Sequence, residues 1–165
     1  MVDAEIIKNL PVGKAEQYQA LVREAQGVLD GENHPISRMS TLIGILHNAF
    51  DYFSWTGFYL VDPENSKQLV IGPYQGTLGC LRIAFGKGVC GSAAATGKAV
   101  IVDDVNAFPD HIACDANTKS EIVVPVFNAN GRLIAVLDVD STEFAAFDQS
   151  DRSGLEEMVS LLKLS

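Results

Sequence analysis

Three cysteines, one histidine and three carboxylates carry most of the chemistry this sequence offers. Nine residues separate Cys80 from Cys90, and Cys114 sits in the run His111-Ile112-Ala113-Cys114-Asp115. So few cysteines, and an odd number, do not make a disulfide scaffold. Zinc prefers close ligand pairs. His111 and Cys114 supply one such pair and no second pair follows, so no metal is expected. A thiol otherwise serves as a small buried apolar group or as a reactive thiolate. Cys90, within a run of small residues, suits the first use. Cys114, in a stretch of His, Asp and Asn, suits a nucleophile, with His111 lowering its pKa and Asp115 raising it.

The carboxylates form a second constellation. Asp138 and Asp140 end the apolar run Leu133–Asp140, two positions apart, and therefore share one face of a strand. Asn128-Ala129-Asn130-Gly131 reads as a hairpin turn. A symmetric hairpin about it pairs residues whose numbers sum to about 259, which sets Glu121 opposite Asp138. Three acids would then gather at one end of a sheet, beside the stretch carrying Cys114. A solvated strand end is the plain reading. A carboxylate cluster that binds an ammonium group, or that retains a proton because like charges crowd, is the functional one. Trp55, the single tryptophan, lies in Ser54-Trp55-Thr56-Gly57-Phe58-Tyr59. With Tyr59 it fills a core or lines a small apolar pocket.

Elements must position these groups. Ala15, Tyr18, Val22, Ala25 and Leu29 mark a helix over about 14–29, closed by Gly31. Its stripe could pack on the domain or on a second copy of the chain. Met39, Leu42, Ile43, Leu46 and Phe50 mark a second helix after Pro35. Leu155, Met158, Val159 and Leu162 mark a last one over about 148–164, with Asp148 as N-cap. Between them the sequence predicts strands over Ser54–Asp62, Gln68–Tyr74, Cys80–Phe85, Ala99–Val102, Glu121–Phe127 and Leu133–Asp140. A small-residue helix over Gly88–Thr96 is stopped by Gly97. Gly86–Gly91 matches G-x-G-x-x-G but lacks the βαβ setting a dinucleotide needs, so its glycines serve a tight turn. The polar stretch Asp103–Ser120 is long for a compact domain and marks a functional loop. Helices at the ends and antiparallel strands between them define an α+β class in a single domain over 1–165.

Composition narrows the partners. Of 165 residues, 47% are hydrophobic and 20% charged, which excludes intrinsic disorder. The net charge of −9 argues against nucleic acid and against an anionic membrane. No apolar run spans a bilayer, and the acids at Asp3 and Glu5 do not suit a secretory signal, so a cytoplasmic protein is expected.

Taken in order, Trp55–Tyr59, Gly72-Pro73-Tyr74-Gln75-Gly76, Gly86–Gly91, Phe108–Asp115, Ser120–Pro125 and Leu137–Ser141 resemble the free methionine-(R)-sulfoxide reductases, single-domain enzymes of the GAF fold. The resemblance covers essentially the whole chain. It implies a central antiparallel sheet flanked by helices, and reduction of free L-methionine (R)-S-oxide. Carried over by motif, it implies Cys114 as nucleophile, Cys80 as the thiol that recycles it, and Cys90 as a secondary resolving thiol. It assigns Glu121, Asp138 and Asp140 to catalysis and substrate binding, and Trp55, beside Tyr59, to the pocket wall. It implies no bound cofactor, thioredoxin as external reductant, and a homodimer, which would give the first helix a use. The chemistry is self-consistent. A thiolate attacking a sulfoxide sulfur needs the oxygen protonated, and a carboxylic acid supplies that proton. The sulfenic acid left behind condenses with a second thiol, and an external dithiol reopens the disulfide. The alternative is a sensory GAF module that binds a small ligand without turnover. That arrangement calls for a fused output domain, for which 165 residues leave no room.

Overall fold

Ile122, Val124 and Val126 are buried on one side of their strand, while Glu121 and Val123 face the other. This period of two organises the molecule. A computed structural model describes residues 9–112 and 114–163. Within them the order is α1 (Lys14–Val28), α2 (Pro35–Ala49), β1 (Trp55–Val61), β2 (Gln68–Gln75), β3 (Arg82–Ala84), α3 (Gly88–Thr96), β4 (Val100–Val102), a 3₁₀ turn (Val105–Ala107), β5 (Ser120–Phe127), β6 (Leu133–Ser141) and α4 (Gln149–Ser160). The strands form one sheet in the order β3-β2-β1-β6-β5-β4, with every neighbouring pair antiparallel. The expected α+β class and the central antiparallel sheet are both present.

One face of the sheet packs on α1, α2 and α4. Tyr18, Leu21, Val22 and Ala25 of α1 join Leu42, Ile43 and Leu46 of α2, Leu155 and Met158 of α4, and Ile122, Leu137 and Val139 of the sheet. The α1 stripe is thus buried within its own chain. Arg38 closes this layer. Its guanidinium donates to the carbonyls of Leu29 at the end of α1 and of Leu161 and Leu162 after α4, which satisfies acceptors that helix ends leave free. There the chain tightens, Leu161 and Leu162 bonding back three residues. Helix α4 therefore stops at Ser160, short of the expected 164, and Leu164 lies outside the described residues. Among the described residues no helix is long and apolar enough to cross a membrane.

The other face carries the small helix α3, whose Val89, Cys90, Ala93 and Ala94 lie on Tyr59, Val123 and Val136. Gly97 adopts a left-handed conformation, φ 65°, and ends α3 where expected. The strand expected from Cys80 is shorter: only Arg82–Ala84 pairs, and Cys80 belongs to the loop before it. The hairpin register also differs. Glu121 pairs with Asp140, and Val123 with Asp138, a sum of 261 rather than 259. Two local features add the difference. The turn closes between Asn128 and Arg132, and an irregularity after Val126 leaves Ile134 without a partner. A slip of two preserves the face, so the acids remain together.

Candidate active site

The site lies on the α3 side of the sheet, where β1, β6 and β5 run side by side. Trp55 pairs with Asp140, and Asp140 with Glu121; Gly57 pairs with Asp138, and Asp138 with Val123. Pairing and alternation put Trp55, Tyr59, Glu121, Asp138 and Asp140 on one face. A Cβ at Gly57 would come within 2.5 Å of the Trp55 ring and 2.4 Å of Tyr74, so glycine lets the indole lie across the strand. Trp55 stacks on Tyr59 and Tyr74 with centroids 5.8 and 5.3 Å apart, and its Nε1 donates to the Thr77 carbonyl at 2.9 Å. This makes a rigid aromatic wall.

Against the wall lies a cavity of about 30 Å³, lined by Trp55, Tyr59, Cys90, Cys114 and the three acids. Cys80 is joined to Cys114 by a disulfide, with Cα atoms 5.4 Å apart. Cys90 is a free, buried thiol and donates to Glu121 Oε1 at 3.9 Å. All the residues singled out in the sequence are thus brought to one place. Leu78, Ile112, Thr118 and His111 also line the cavity. Leu78 and Ile112 had a signal, as apolar residues inside polar loops; Thr118 had none.

The electrostatics are unusual. Glu121 and Asp138 are 7% and 6% exposed. Burial first, and then the charges of Asp138 and Asp140, push the Glu121 carboxyl well above its usual range. Burial pushes Asp138 up to about 7. Burial, with Asp138 and Asp115 nearby, raises Asp140, to which Thr118 donates a hydrogen bond. None of the ion pairs among the described residues involves these three acids. Among the described residues, Asp138 Oδ1 is buried and finds no hydrogen-bond partner. Such a cluster holds a proton at neutral pH, or awaits a cation. Burial raises the Cys90 thiol and lowers the His111 imidazole. Cys90 is therefore an un-ionised thiol and His111 a neutral ring, which weakens the lowering of the Cys114 pKa expected from it. Cys90 Sγ and one oxygen each of Glu121 and Asp138 lie within 4.8 Å of one another, a spacing that a divalent cation could bridge.

A six-stranded antiparallel sheet with this helical cover, and a small cavity on its α3 face, is the architecture of a GAF domain. The family model for that domain matches residues 39–164. Among curated relatives, GAF domain-containing protein A of Dictyostelium discoideum is 45% identical over 97% of both chains. The free methionine-R-sulfoxide reductase of Saccharomyces cerevisiae is 37% identical over 93% of this chain and 88% of its own. The X-ray structure of free methionine-R-sulfoxide reductase from Neisseria meningitidis in complex with its substrate is 44% identical. It superposes with a TM-score of 0.88 over 93% of this chain and 90% of that one. The chain belongs to the GAF-domain family of free methionine-R-sulfoxide reductases.

Proposed function

We propose that the chain reduces free L-methionine (R)-S-oxide to L-methionine, with Cys114 as the nucleophile. The observation that carries this reading is the union, around one cavity, of a disulfide-forming cysteine, an aromatic wall and three acids that pair with no cation among the described residues. The Cys114 thiolate attacks the sulfoxide sulfur. A carboxylic acid of the Glu121, Asp138 and Asp140 cluster, protonated at neutral pH, delivers its proton to the oxygen. The substrate S–O bond breaks as the protonated oxygen passes to the Cys114 sulfur, so methionine departs with its sulfur reduced and Cys114 is left as a sulfenic acid. Cys80 then condenses with it, releasing water and forming the disulfide. The remaining carboxylates pair with the substrate's ammonium group, which favours the free amino acid over a peptide. Trp55 and Tyr59 hold the thioether chain. Cys90, buried and bonded to Glu121, supports the cluster more readily than it reaches Cys114.

With the disulfide closed the cavity is sized for about one water, not for an amino acid. Reduction must therefore precede substrate entry. The reductant is an external dithiol, thioredoxin in this reading, which leaves as its own disulfide. A cytoplasmic homodimer without bound cofactor completes the proposal. The test is incubation with both diastereomers of free methionine sulfoxide and dithiothreitol, followed by chiral separation. Loss of the R form alone is expected. Binding without loss of either form would instead support a sensory module.

A further inference from the structure

The loops that carry the two bonded cysteines are joined twice. One joint is the Cys80–Cys114 disulfide. The other is non-covalent: the Thr77 hydroxyl donates to Asp115 Oδ2 at 2.6 Å, across 38 positions of sequence. Each end of this second joint is anchored. The Thr77 carbonyl accepts from the Trp55 indole at 2.9 Å, and Trp55 belongs to the rigid strand β1. Asp115 Oδ1 accepts from the Asn117 backbone N–H at 2.8 Å. The Thr77 hydroxyl, followed by that amide, holds the Asp115 carboxyl below its usual range, so the acceptor is charged at neutral pH. A continuous path runs from the sheet through Trp55, Thr77 and Asp115 to Cys114, the chain neighbour of Asp115. Thr77 itself does not line the cavity. Gly76, Thr77 and Leu78 are exposed, so core packing does not fix this loop.

We propose that the Thr77–Asp115 hydrogen bond is a latch that keeps Cys80 beside Cys114 while the disulfide is open, and so sets the rate at which oxidised Cys114 is resolved. The proposal rests on the reading above, in which Cys114 becomes a sulfenic acid and Cys80 resolves it. In that step the Cys80 sulfur attacks the Cys114 sulfur and an S–S bond forms. The S–O bond breaks, and the hydroxyl leaves with the Cys80 proton as water. The Cys80 sulfur is oxidised and the Cys114 sulfur reduced. No further reactant enters. The rate therefore follows how often the two sulfurs meet, which is an effective concentration set by the freedom of the two loops. A charge-assisted hydrogen bond is among the stronger ties available at a surface. The latch makes Thr77 a positioning residue, acting through Asp115 and touching no substrate.

The experiment compares reduced wild type, Thr77→Val and Thr77→Ser in a single turnover without reductant. Two oxidants are used in parallel: one equivalent of free methionine (R)-S-oxide, and hydrogen peroxide, which oxidises a thiolate to the same sulfenic acid and water. Methionine release, disulfide formation by thiol alkylation and mass, and dimedone capture at Cys114 are followed in time. Thr77→Val should release one methionine per chain at the wild-type rate. Its disulfide should form roughly fivefold more slowly with either oxidant, with more dimedone adduct at Cys114. Thr77→Ser, which keeps the hydroxyl, should restore the wild-type rate. Disulfide formation at the native rate in Thr77→Val overturns the latch. So does an equal slowing of methionine release, or a failure of serine to rescue. If wild type releases no methionine, yet the peroxide arm still shows the fivefold difference and its rescue, the latch stands and the reductase reading fails.

Discussion

Two sets of buried carboxylates sit at opposite sides of the sheet and are treated in opposite ways. Asp151, fully buried in the α1–α2–α4 layer, is surrounded by donors. Lys14 Nζ lies 2.6 Å from Oδ2, which also accepts the Asp148 N–H at 2.8 Å in a capping box at the start of α4. Oδ1 accepts the hydroxyls of Tyr18 at 3.0 Å and Tyr52 at 2.5 Å. A buried charge with every lone pair occupied is a structural knot, here tying α1 and the Tyr52 loop to α4. On the α3 side, Asp138 is nearly as buried, and among the described residues it has acidic neighbours in place of a cation and leaves Oδ1 without a partner. Folding gains nothing from that arrangement. The difference teaches how a purely structural acid is told from a working one: the first is satisfied by its own chain, and the second is left incomplete until a ligand or a proton arrives.

Substitution should separate the two. The largest effect is expected from Asp138→Asn, which keeps the shape and removes the ionisable group. Turnover of free methionine (R)-S-oxide should fall by about 10²–10⁴, the usual worth of a general acid. The melting temperature at pH 8 should hold or rise, since a crowded charge is gone. Asp151→Ala should do the reverse. It strands the Tyr18 hydroxyl and the Asp148 N–H, at a cost of about 3–5 kcal/mol in denaturant unfolding. Turnover per folded chain should be unchanged. Loss of turnover in both variants, at a temperature where both are folded, would erase the distinction.

The sequence displayed the two constellations unequally. Asp138, Asp140 and Glu121 were legible because strand alternation fixes a face however the register falls, and the slip from 259 to 261 changed partners without changing sides. Asp148 was legible as an N-cap because capping is local. Its partner Asp151 was not, since its donors Tyr18 and Tyr52 lie 133 and 99 positions away. The Thr77–Asp115 contact was hidden for the same reason. Both residues lie in loops without period, and their meeting depends on how the sheet brings those loops together. Cys80 was misplaced at a strand start because its neighbours Leu81–Phe85 look like strand, while only Arg82–Ala84 finds a partner.

A third effect is smaller and concerns pH. Asp138 rises from an ordinary 3.8 to about 7 in the folded chain. A group whose pKa is higher folded than unfolded binds its proton more tightly when folded. Its contribution to stability is therefore complete below about pH 4 and is lost as pH climbs through about 7. Unfolding in urea, without substrate, should show the chain less stable at pH 8 than at pH 5, with Asp138 alone contributing on the order of 2 kcal/mol of the difference. Glu121 and Asp140, whose carboxyls burial also raises, add to the slope in the same direction, so Asp138→Asn should make it shallower without abolishing it. A slope unchanged in the variant would assign it to other groups.

The smallest effect tests the comparison most directly, because it converts one kind of acid into the other. Tyr18 and Tyr52 donate to the same oxygen of Asp151. Burial pushes both hydroxyls above their usual range, so both remain protonated donors. Removing either one leaves Oδ1 with the other, so Tyr18→Phe and Tyr52→Phe should each cost only about 1 kcal/mol. Removing both leaves Asp151 Oδ1 buried and unpartnered, the condition in which Asp138 Oδ1 exists naturally. The double variant should then lose more than the two single losses together, by about 1 kcal/mol. A strictly additive pair would mean that water or Lys14 takes over the vacated oxygen. In that event Oδ1 is completed by another donor, and the α1–α2–α4 layer can resupply its acid where the α3 side leaves Asp138 incomplete.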